Sequence, residues 1–471
     1  MPAPHTLRAG RATAVVAVLL SSAMAPSAVA QSVPAWAPAL DSVANAAIAT
    51  SKSPGVTVAV VVNGQLAYAK GYGLANVDTK QPMHADMLLR VGSVTKMFTG
   101  TMLAALIEKN LLDMEQPISR YVPSLAGKQV GAVTTQQLMT HNAGWIDNAV
   151  AYGRMGEGAL GEVMREVGDT LFFTGAGRTF SYSNPSISMA GYVGEMAGKQ
   201  RFASLVESNV LRPLGMRLST FKPLEALTWP IAMGHMGPNA GGNMTVVRPM
   251  TENTAQWAAG FLFSSAPELA RYTIAMMNGG TIDGADVLPR GVVRRVTTGY
   301  VPHPGGSGLD SAMYGYGLVV GTARVNGKPE RVWTHGGAIN GYNSSLVMLP
   351  DRKVAVVVLA NGPGSGNSVI ERKALELVMG APLARATPAA PRDLTTAERA
   401  ALVGTYAMGP VTVEFAELNG ALVMKQGAAS LPVKAASPSE LVVGPQRLYT
   451  RTENGKVVYV YNGSRALARK L

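Results

Sequence analysis

The first strong hydrophobic pattern lies at Gly55-Val56-Thr57-Val58-Ala59-Val60-Val61-Val62, an apolar run too short for a helix of any size. Asn63-Gly64 and the mixed stretch Gln65 to Lys70 follow, and an Asn-Gly between two strand patterns predicts a hairpin that opens a central antiparallel sheet. Asp41 to Ala49 predicts a helix ahead of it. After the hairpin the period changes. Val94, Met97, Phe98, Met102, Leu103, Leu106 and Ile107 make a helix that is apolar nearly all round, as a buried helix should be, and Gly92 lets the backbone turn into it. From Asp113 to about Ser265 the pattern is mostly helical with loops. Arg201 to Leu211 places Phe202, Leu205, Val206 and Val210 on one face and is stopped by Pro213, and Ser265-Ala266-Pro267-Glu268 is a capping box for a helix ending at Asn278-Gly279-Gly280. Strand patterns return at Tyr316 to Gly321, Arg331 to Thr334, Asn343 to Leu349 and Lys353 to Asn361, followed by a helix from Ser368 to Met379.

These elements predict an α/β (α+β) fold, an antiparallel sheet flanked by helices with a separate helical lobe and a site in the cleft between them. Ala381 to Arg392 is rich in Ala and Pro and reads as a linker. Beyond it come short strands at Val411 to Ala416, Ala421 to Lys425, Gln446 to Arg451 and Lys456 to Tyr461, with turns at Asn419-Gly420 and Asn454-Gly455. The expected organisation is a leader over 1–30, a main domain over 31–380, a linker over 381–394 and a small β domain over 395–471. The leader rests on Arg8 and Arg11 before the apolar run Ala14 to Leu20, with Ala28-Val29-Ala30 as the cleavage site, which predicts export to the periplasm or beyond.

Composition narrows the chemistry. The 471-residue chain has no cysteine, which removes disulfides and thiolate chemistry together. Its net charge of +12 becomes +10 without Arg8 and Arg11, but charged residues are only 15% and the basic pair Arg294-Arg295 has no aromatic platform beside it, so nucleic acid is not an expected partner. No second long apolar run predicts a membrane span. There is no Gly-x-Ser-x-Gly elbow, no His-x-x-x-His zinc helix and no Walker lysine, and neither metal nor cofactor is expected.

One tetrapeptide carries chemistry. Ser93-Val94-Thr95-Lys96 puts a hydroxyl and an amine on one helix face, and burial disfavours the ammonium, so a lysine of ordinary pKa ~10.4 becomes able to accept a proton at neutral pH. Ser219-Thr220-Phe221-Lys222 repeats the spacing, but Pro223 denies it a long helix. Two later stretches favour the first copy. Tyr182-Ser183-Asn184 is a Tyr-x-Asn, and His335-Gly336-Gly337 is a His-x-Gly bracketed by strand patterns, unlike His235-Met236-Gly237 and His303-Pro304-Gly305.

In that order the three motifs resemble the penicillin-recognising serine hydrolases, and over about residues 35 to 380 the chain is similar to the class C β-lactamase family, which includes D,D-carboxypeptidases, D-aminopeptidases and esterases. Gly71-Tyr72-Gly73-Leu74-Ala75-Asn76, Leu138-Met139-Thr140-His141-Asn142-Ala143-Gly144 and Ala259-Gly260-Phe261-Leu262-Phe263-Ser264-Ser265 add to the likeness. The resemblance implies a β-lactamase/transpeptidase-like fold, and the tail, with Gly404-Thr405-Tyr406, looks like the lipocalin-like barrel often appended to it. It also implies that Ser93 attacks a carbonyl, that Lys96 with Tyr182 takes the proton, and that the backbone amides of Ser93 and Ala338 hold the oxyanion. Tyr182 is expected to have a depressed pKa beside Lys96. Asn184, His335 and Gly337 are expected on the substrate side. Where β-lactamases carry the lysine of Lys-Thr-Gly this chain has His335, which with an ordinary pKa near ~6.5 would be mostly neutral at pH 7.5 and partly charged toward pH 6. Ala176-Gly177 replaces the usual Pro-Gly. The leading expectation is therefore an exported serine hydrolase acting on a small-molecule or peptide amide or ester; the alternatives are a non-catalytic binder of cell-wall fragments or β-lactams, and a partner-binding protein working through its β domain.

Overall fold

A computed structural model describes Met1 and residues 33–470 other than 52, 240, 365, 385–388 and 428. The leader expected over 1–30 lies outside the described residues. The hairpin forms as its sequence dictates, with β1 (Gly55–Val62) and β2 (Gln65–Asn76) joined at Asn63-Gly64, where both residues take positive φ. β1 is buried along all but its last residue because it is central: it pairs with β2 on one side and with β7 (Val354–Ala360) on the other, Val56 opposite Ala360 and Val61 opposite Ala355. The two ends of the main fold thus meet in one antiparallel sheet. β3 (Asp310–Tyr314), β4 (Val319–Val325), β5 (Lys328–Ile339) and β6 (Tyr342–Leu349) carry it outward from β7 in reverse order, and two-residue strands at Val301–Pro302 and Gln81–Pro82 form its edges.

Period-2 alternation sorts this sheet into two cores. Val56, Val58 and Val60 face Leu40, Ala44 and Ala47 of α1 (Ala37–Ser51) and Ile370, Ala374 and Leu375 of α5 (Gly366–Met379). Ala59, Val61, Val357 and Leu359 face the larger core built on α2 (Thr95–Glu108), in which every residue from Thr95 to Leu106 is buried. α3 (Asn184–Gly198) and α4 (Ala266–Met277) pack into that same core.

Several elements differ from expectation for local reasons. Tyr316 is not in a strand: Gly317, at φ +80°, turns β3 into β4, and β3 has no hydrophobic alternation that would reveal it. β5 runs on through Ile339, so the His-x-Gly lies inside a strand, its small residues Gly336 and Gly337 opposite Ser345 and Ser344. The helix at Phe202–Val206 widens into a π turn over Glu207–Leu211. The box at Ser265 is half formed. Ser265 accepts from the Glu268 amide, but the Glu268 carboxylate turns instead to Leu218 N–H and the Ser219 hydroxyl.

Within the stretch read as a linker, Leu383–Ala384 adds to the edge of β4. A helix over Thr396–Leu402, capped reciprocally by Thr395 and Glu398, then leads into a closed eight-stranded antiparallel barrel. The four strands expected there are joined by Gly404–Met408, Ala429–Ser437, Glu440–Val443 and Arg465–Arg469, and closure comes from pairing of the first strand with the last, Tyr406 opposite Arg469. Closure leaves no free edge. No described helix is long and apolar enough to cross a membrane.

Candidate active site

Ser93 sits in a 3-10 turn, Gly92–Val94, that runs directly into α2, and Lys96 follows in the first turn of that helix. The turn is possible because Gly92 adopts φ +53° and because a Cβ there would lie 2.7 Å from the Ala338 nitrogen. Gly337 is its counterpart on β5, where a Cβ would stand 2.1 Å from the Val91 carbonyl and 2.9 Å from the Ser93 nitrogen. Two glycines thus let the backbones of Ser93 and Ala338 lie side by side.

Lys96 has no exposed surface. Its Nζ lies 2.6 Å from the Ala259 carbonyl oxygen, 2.7 Å from Asn184 Oδ1 and 3.1 Å from Ser93 Oγ. The first two partners can only accept, so they take two N–H bonds of the amine. Burial pushes the Lys96 pKa down to about 7, opposed by the charge of Asp147 and aided by that of Arg465. In the neutral amine the remaining lone pair then faces the Ser93 hydroxyl.

Tyr182 closes the other side, its hydroxyl hydrogen-bonded to Ser93 and its ring 4.8 Å from Lys96 Nζ. Here an expectation is corrected: the Tyr182 pKa is raised, not depressed, because burial outweighs the Ser93 hydrogen bond and the Arg465 charge that pull it down. A lysine that is itself half neutral at pH 7 supplies little positive charge to hold a tyrosinate. Asn184 opens α3, behind Ser183 as the N-cap. Its Nδ2 donates to Asp147 Oδ1 at 3.1 Å, which fixes the amide so that Oδ1 faces Lys96.

His335 lines the cleft but is 6% exposed, with Nδ1 2.6 Å from the Gly336 carbonyl and Nε2 3.0 Å from the Tyr314 hydroxyl. Burial first, then the Lys96 charge, push its pKa down to about 3, so it does not charge near pH 6 as an ordinary histidine would. The second Ser-x-x-Lys has no comparable setting. Ser219 Oγ is bonded to Glu268 and Ser264 at 2.6 and 2.8 Å, while Lys222 reaches Glu225 and Glu157.

The barrel forms one wall. Ser464, in the turn before its last strand, accepts from the Tyr182 N–H at 2.9 Å, and Arg465 binds Asp147 Oδ2 through Nε at 2.8 Å and Nη2 at 2.5 Å while lying 5.3 Å from the Tyr182 ring. The cavity of about 660 Å³ is lined by Ser93, Tyr182, Asn184, His335 and Ala338 on the main fold and by Tyr449, Ser464 and Arg465 on the barrel. Sequence reading did not find Asp147, Arg465 or Tyr314 as site residues, since none lies in a motif. His141 stood only in flanking text. Among the described residues no group of His, Asp and Glu is placed to hold a metal ion.

Two cleft histidines and one buried beneath the cleft are held neutral: burial pushes His335 down to about 3 and His303 to about 4, and burial with the Lys96 charge pushes His141 well below the ordinary value. Because each folded pKa lies below the unfolded one, the stability this gives is full above about pH 6.5 and is lost on acidification as the unfolded chain takes up protons the folded chain refuses. Each histidine adds a slope approaching about 1.4 kcal/mol per pH unit once the unfolded imidazole is protonated. Thermal melts at pH 7, 6 and 5 should therefore show a falling Tm before most carboxylates titrate; a flat Tm across that window would contradict neutral burial.

Comparison with known proteins gives a consistent picture. The sequence profile described as Beta-lactamase matches residues 40–379. A beta-lactamase of Pseudomonas fluorescens is 26% identical over 328 residues, covering 65% of this chain and 88% of that protein, and Protein flp of Staphylococcus aureus (strain MW2) is 23% identical over 314 residues, covering 65% and 59%. In fold, the chain is similar to the crystal structure of SurE, with TM-score 0.74 at 23% identity over 92% of this chain and 99% of that one. It is also similar to the octameric penicillin-binding protein homologue from Pyrococcus abyssi, with TM-score 0.66 at 21% identity over 92% and 100%.

Proposed function

Because this chain belongs to the beta-lactamase family, we propose that it is an exported serine hydrolase that cleaves an amide or ester through an acyl-enzyme on Ser93. The observation that carries the reading is the neutral-leaning Lys96 amine, with two N–H bonds committed to Ala259 and Asn184 and its third contact on Ser93 Oγ. The Ser93 proton passes to Lys96 as Oγ bonds to the carbonyl carbon, and the developing oxyanion is held by the Ser93 and Ala338 amides. Tyr182 stays protonated between steps. It gives its proton to the leaving group and is restored from Lys96, and in the second half the same pair takes a proton from the water that cleaves the acyl-enzyme. A purely binding cleft has no use for an amine held near half-protonation against a serine.

The acyl donor is read from charge. Among the described lining residues the only permanent cation is Arg465, and it is paired with Asp147, while His335 is neutral throughout the working pH range. Neutral short-chain esters and amides are therefore favoured over penicillins. Incubation with a fluorescent phosphonate, followed by mass-spectrometric mapping, should place the adduct on Ser93 and not on Ser219. Turnover should be higher for a short-chain ester or a D-amino-acid amide than for a penicillin or a D-Ala-D-Ala peptide. An adduct at Ser219 refutes the nucleophile, and efficient penicillin hydrolysis at pH 8 refutes the preference.

A further inference from the structure

Beneath Tyr182 lies a second layer of polar groups that the reaction outlined above does not use. His141 stacks on the Tyr182 ring, with centroids 4.2 Å apart and planes at 30°. Its Nδ1 is 3.0 Å from the Ser183 N–H, a group that can only donate, so Nδ1 carries no proton and Nε2 does. That Nε2 lies 3.3 Å from the Tyr314 hydroxyl, which must therefore accept from it and has its own proton free for His335 Nε2 at 3.0 Å. His335 Nε2 is then an acceptor, and its Nδ1–H donates to the Gly336 carbonyl at 2.6 Å. One direction of donation satisfies every link, from the Ser183 amide through three side chains to the backbone of β5.

From this geometry we infer that His141, Tyr314 and His335 form a positioning relay that locks the catalytic Tyr182 ring and the Ala338 strand to one another. The relay rests on the hydrolase reading of Ser93, Lys96 and Tyr182. It joins the two segments whose separation sets the distance between proton donor and oxyanion site, since Ser183 follows Tyr182 in the chain and Gly336 lies two residues before Ala338. His141 is held by its backbone as well: it adopts φ +55°, uncommon for a non-glycine residue, and its carbonyl accepts from the Ser181 N–H at 2.7 Å. All three side chains are buried. The charged and titratable groups around them are Lys96, His303 and Arg465 facing His141, Lys96 and His303 facing His335, and Tyr182 beside Tyr314, and none is an anion that would favour protonation of either imidazole.

Imidazole NMR of the wild-type protein at pH 6 tests the relay directly. His141 should appear as the Nε2–H tautomer and His335 as the Nδ1–H tautomer, both neutral. Tyr314→Phe removes the central hydroxyl while keeping the ring, and should lower kcat for a short-chain ester by roughly 10- to 100-fold, the scale of a small misplacement of reacting groups, with KM nearly constant. His335→Gln, whose side-chain oxygen can still accept from Tyr314, should lose much less than His335→Leu; that contrast also carries the kinetic test if Tyr314→Phe does not fold. Opposite tautomers or charged imidazoles in an active enzyme overturn the relay alone. So does a folded Tyr314→Phe with wild-type kcat, a loss confined to KM, or equal losses in the two His335 variants. Failure of the wild-type protein to form a Ser93 adduct overturns the hydrolase reading and the positioning role with it.

Discussion

Replacing Lys96 with alanine should lower turnover at pH 7.5 by at least about 10²-fold, the scale of losing a general base, while the protein remains folded. Ser93 Oγ has two neighbours able to exchange its proton, and Tyr182 cannot take it, because burial keeps that phenol protonated. Lys96 alone remains. Its pKa of about 7 gives the pH dependence a sign: above that value the amine is mostly neutral and able to accept, and below it the lone pair is lost, so kcat/KM should decline tenfold per pH unit on acidification. A kcat/KM profile from pH 5.5 to 9 on a neutral ester checks this, with His335 adding no inflection near pH 6 because its imidazole is held near 3. In Lys96→Ala the acid limb should vanish with the rate. Near-normal turnover in the variant, or a wild-type profile flat through pH 6, would remove Lys96 from the base role.

The pairing of Ser93 with a buried Lys96 could be read from the sequence because both lie within one helical turn, where spacing fixes geometry, and because the apolar residues around them announce burial. Hairpin β1–β2 was equally legible, since Asn63-Gly64 is a local instruction. What escaped was set by distant contacts. β3 has little pattern of its own and exists because β4 offers it an edge. The barrel's four unrecognised strands, such as Arg465–Arg469, alternate too weakly to stand out and are defined by closure. The same holds within the site. The direction of the Tyr182 pKa depended on how completely the ring is enclosed, and enclosure is supplied partly by Ser464 and Arg465, some 280 residues away in the chain. His335 looked like an ordinary titrating histidine because its partners Tyr314 and Gly336 are visible only once β3 and β5 are placed in space.

Removal of residues 381–471 should leave a folded protein that has lost most of its turnover, by about 10²-fold or more, the scale on which small misplacements of reacting groups are felt. The central sheet closes without residues 381–471, which among the described residues add to it only the pair Leu383–Ala384 at β4, and the barrel has a hydrophobic core of its own. The segment bearing Tyr182 is a different matter. Its Tyr182 N–H donates to Ser464, Ser181 Oγ accepts from the Ala466 N–H, and Thr179 and Thr174 are hydrogen-bonded to Tyr461 and Tyr459. Truncation removes all four partners and exposes Ile146 and Phe173, which pack against the barrel core. It also strips Asp147 of Arg465. The single variant Arg465→Ala isolates that electrostatic part: the Asp147 carboxylate, no longer matched, stabilises the Lys96 ammonium, and with Arg465 gone the charge that opposed it is lost too. Both changes raise the Lys96 pKa. A rise of one unit from about 7 would cut the neutral fraction at pH 7 from about one half to about one tenth, so Arg465→Ala should be several-fold slower at pH 7, with its acid limb moved to higher pH and much of the rate recovered near pH 9. Melting curves, ester turnover and phosphonate labelling rates on both proteins check this. Full activity in the truncated form would show that the barrel is only a cap, loss of a cooperative melt would show that the two parts share one core, and an unmoved acid limb in Arg465→Ala would show that the barrel acts on Lys96 through packing and not through charge.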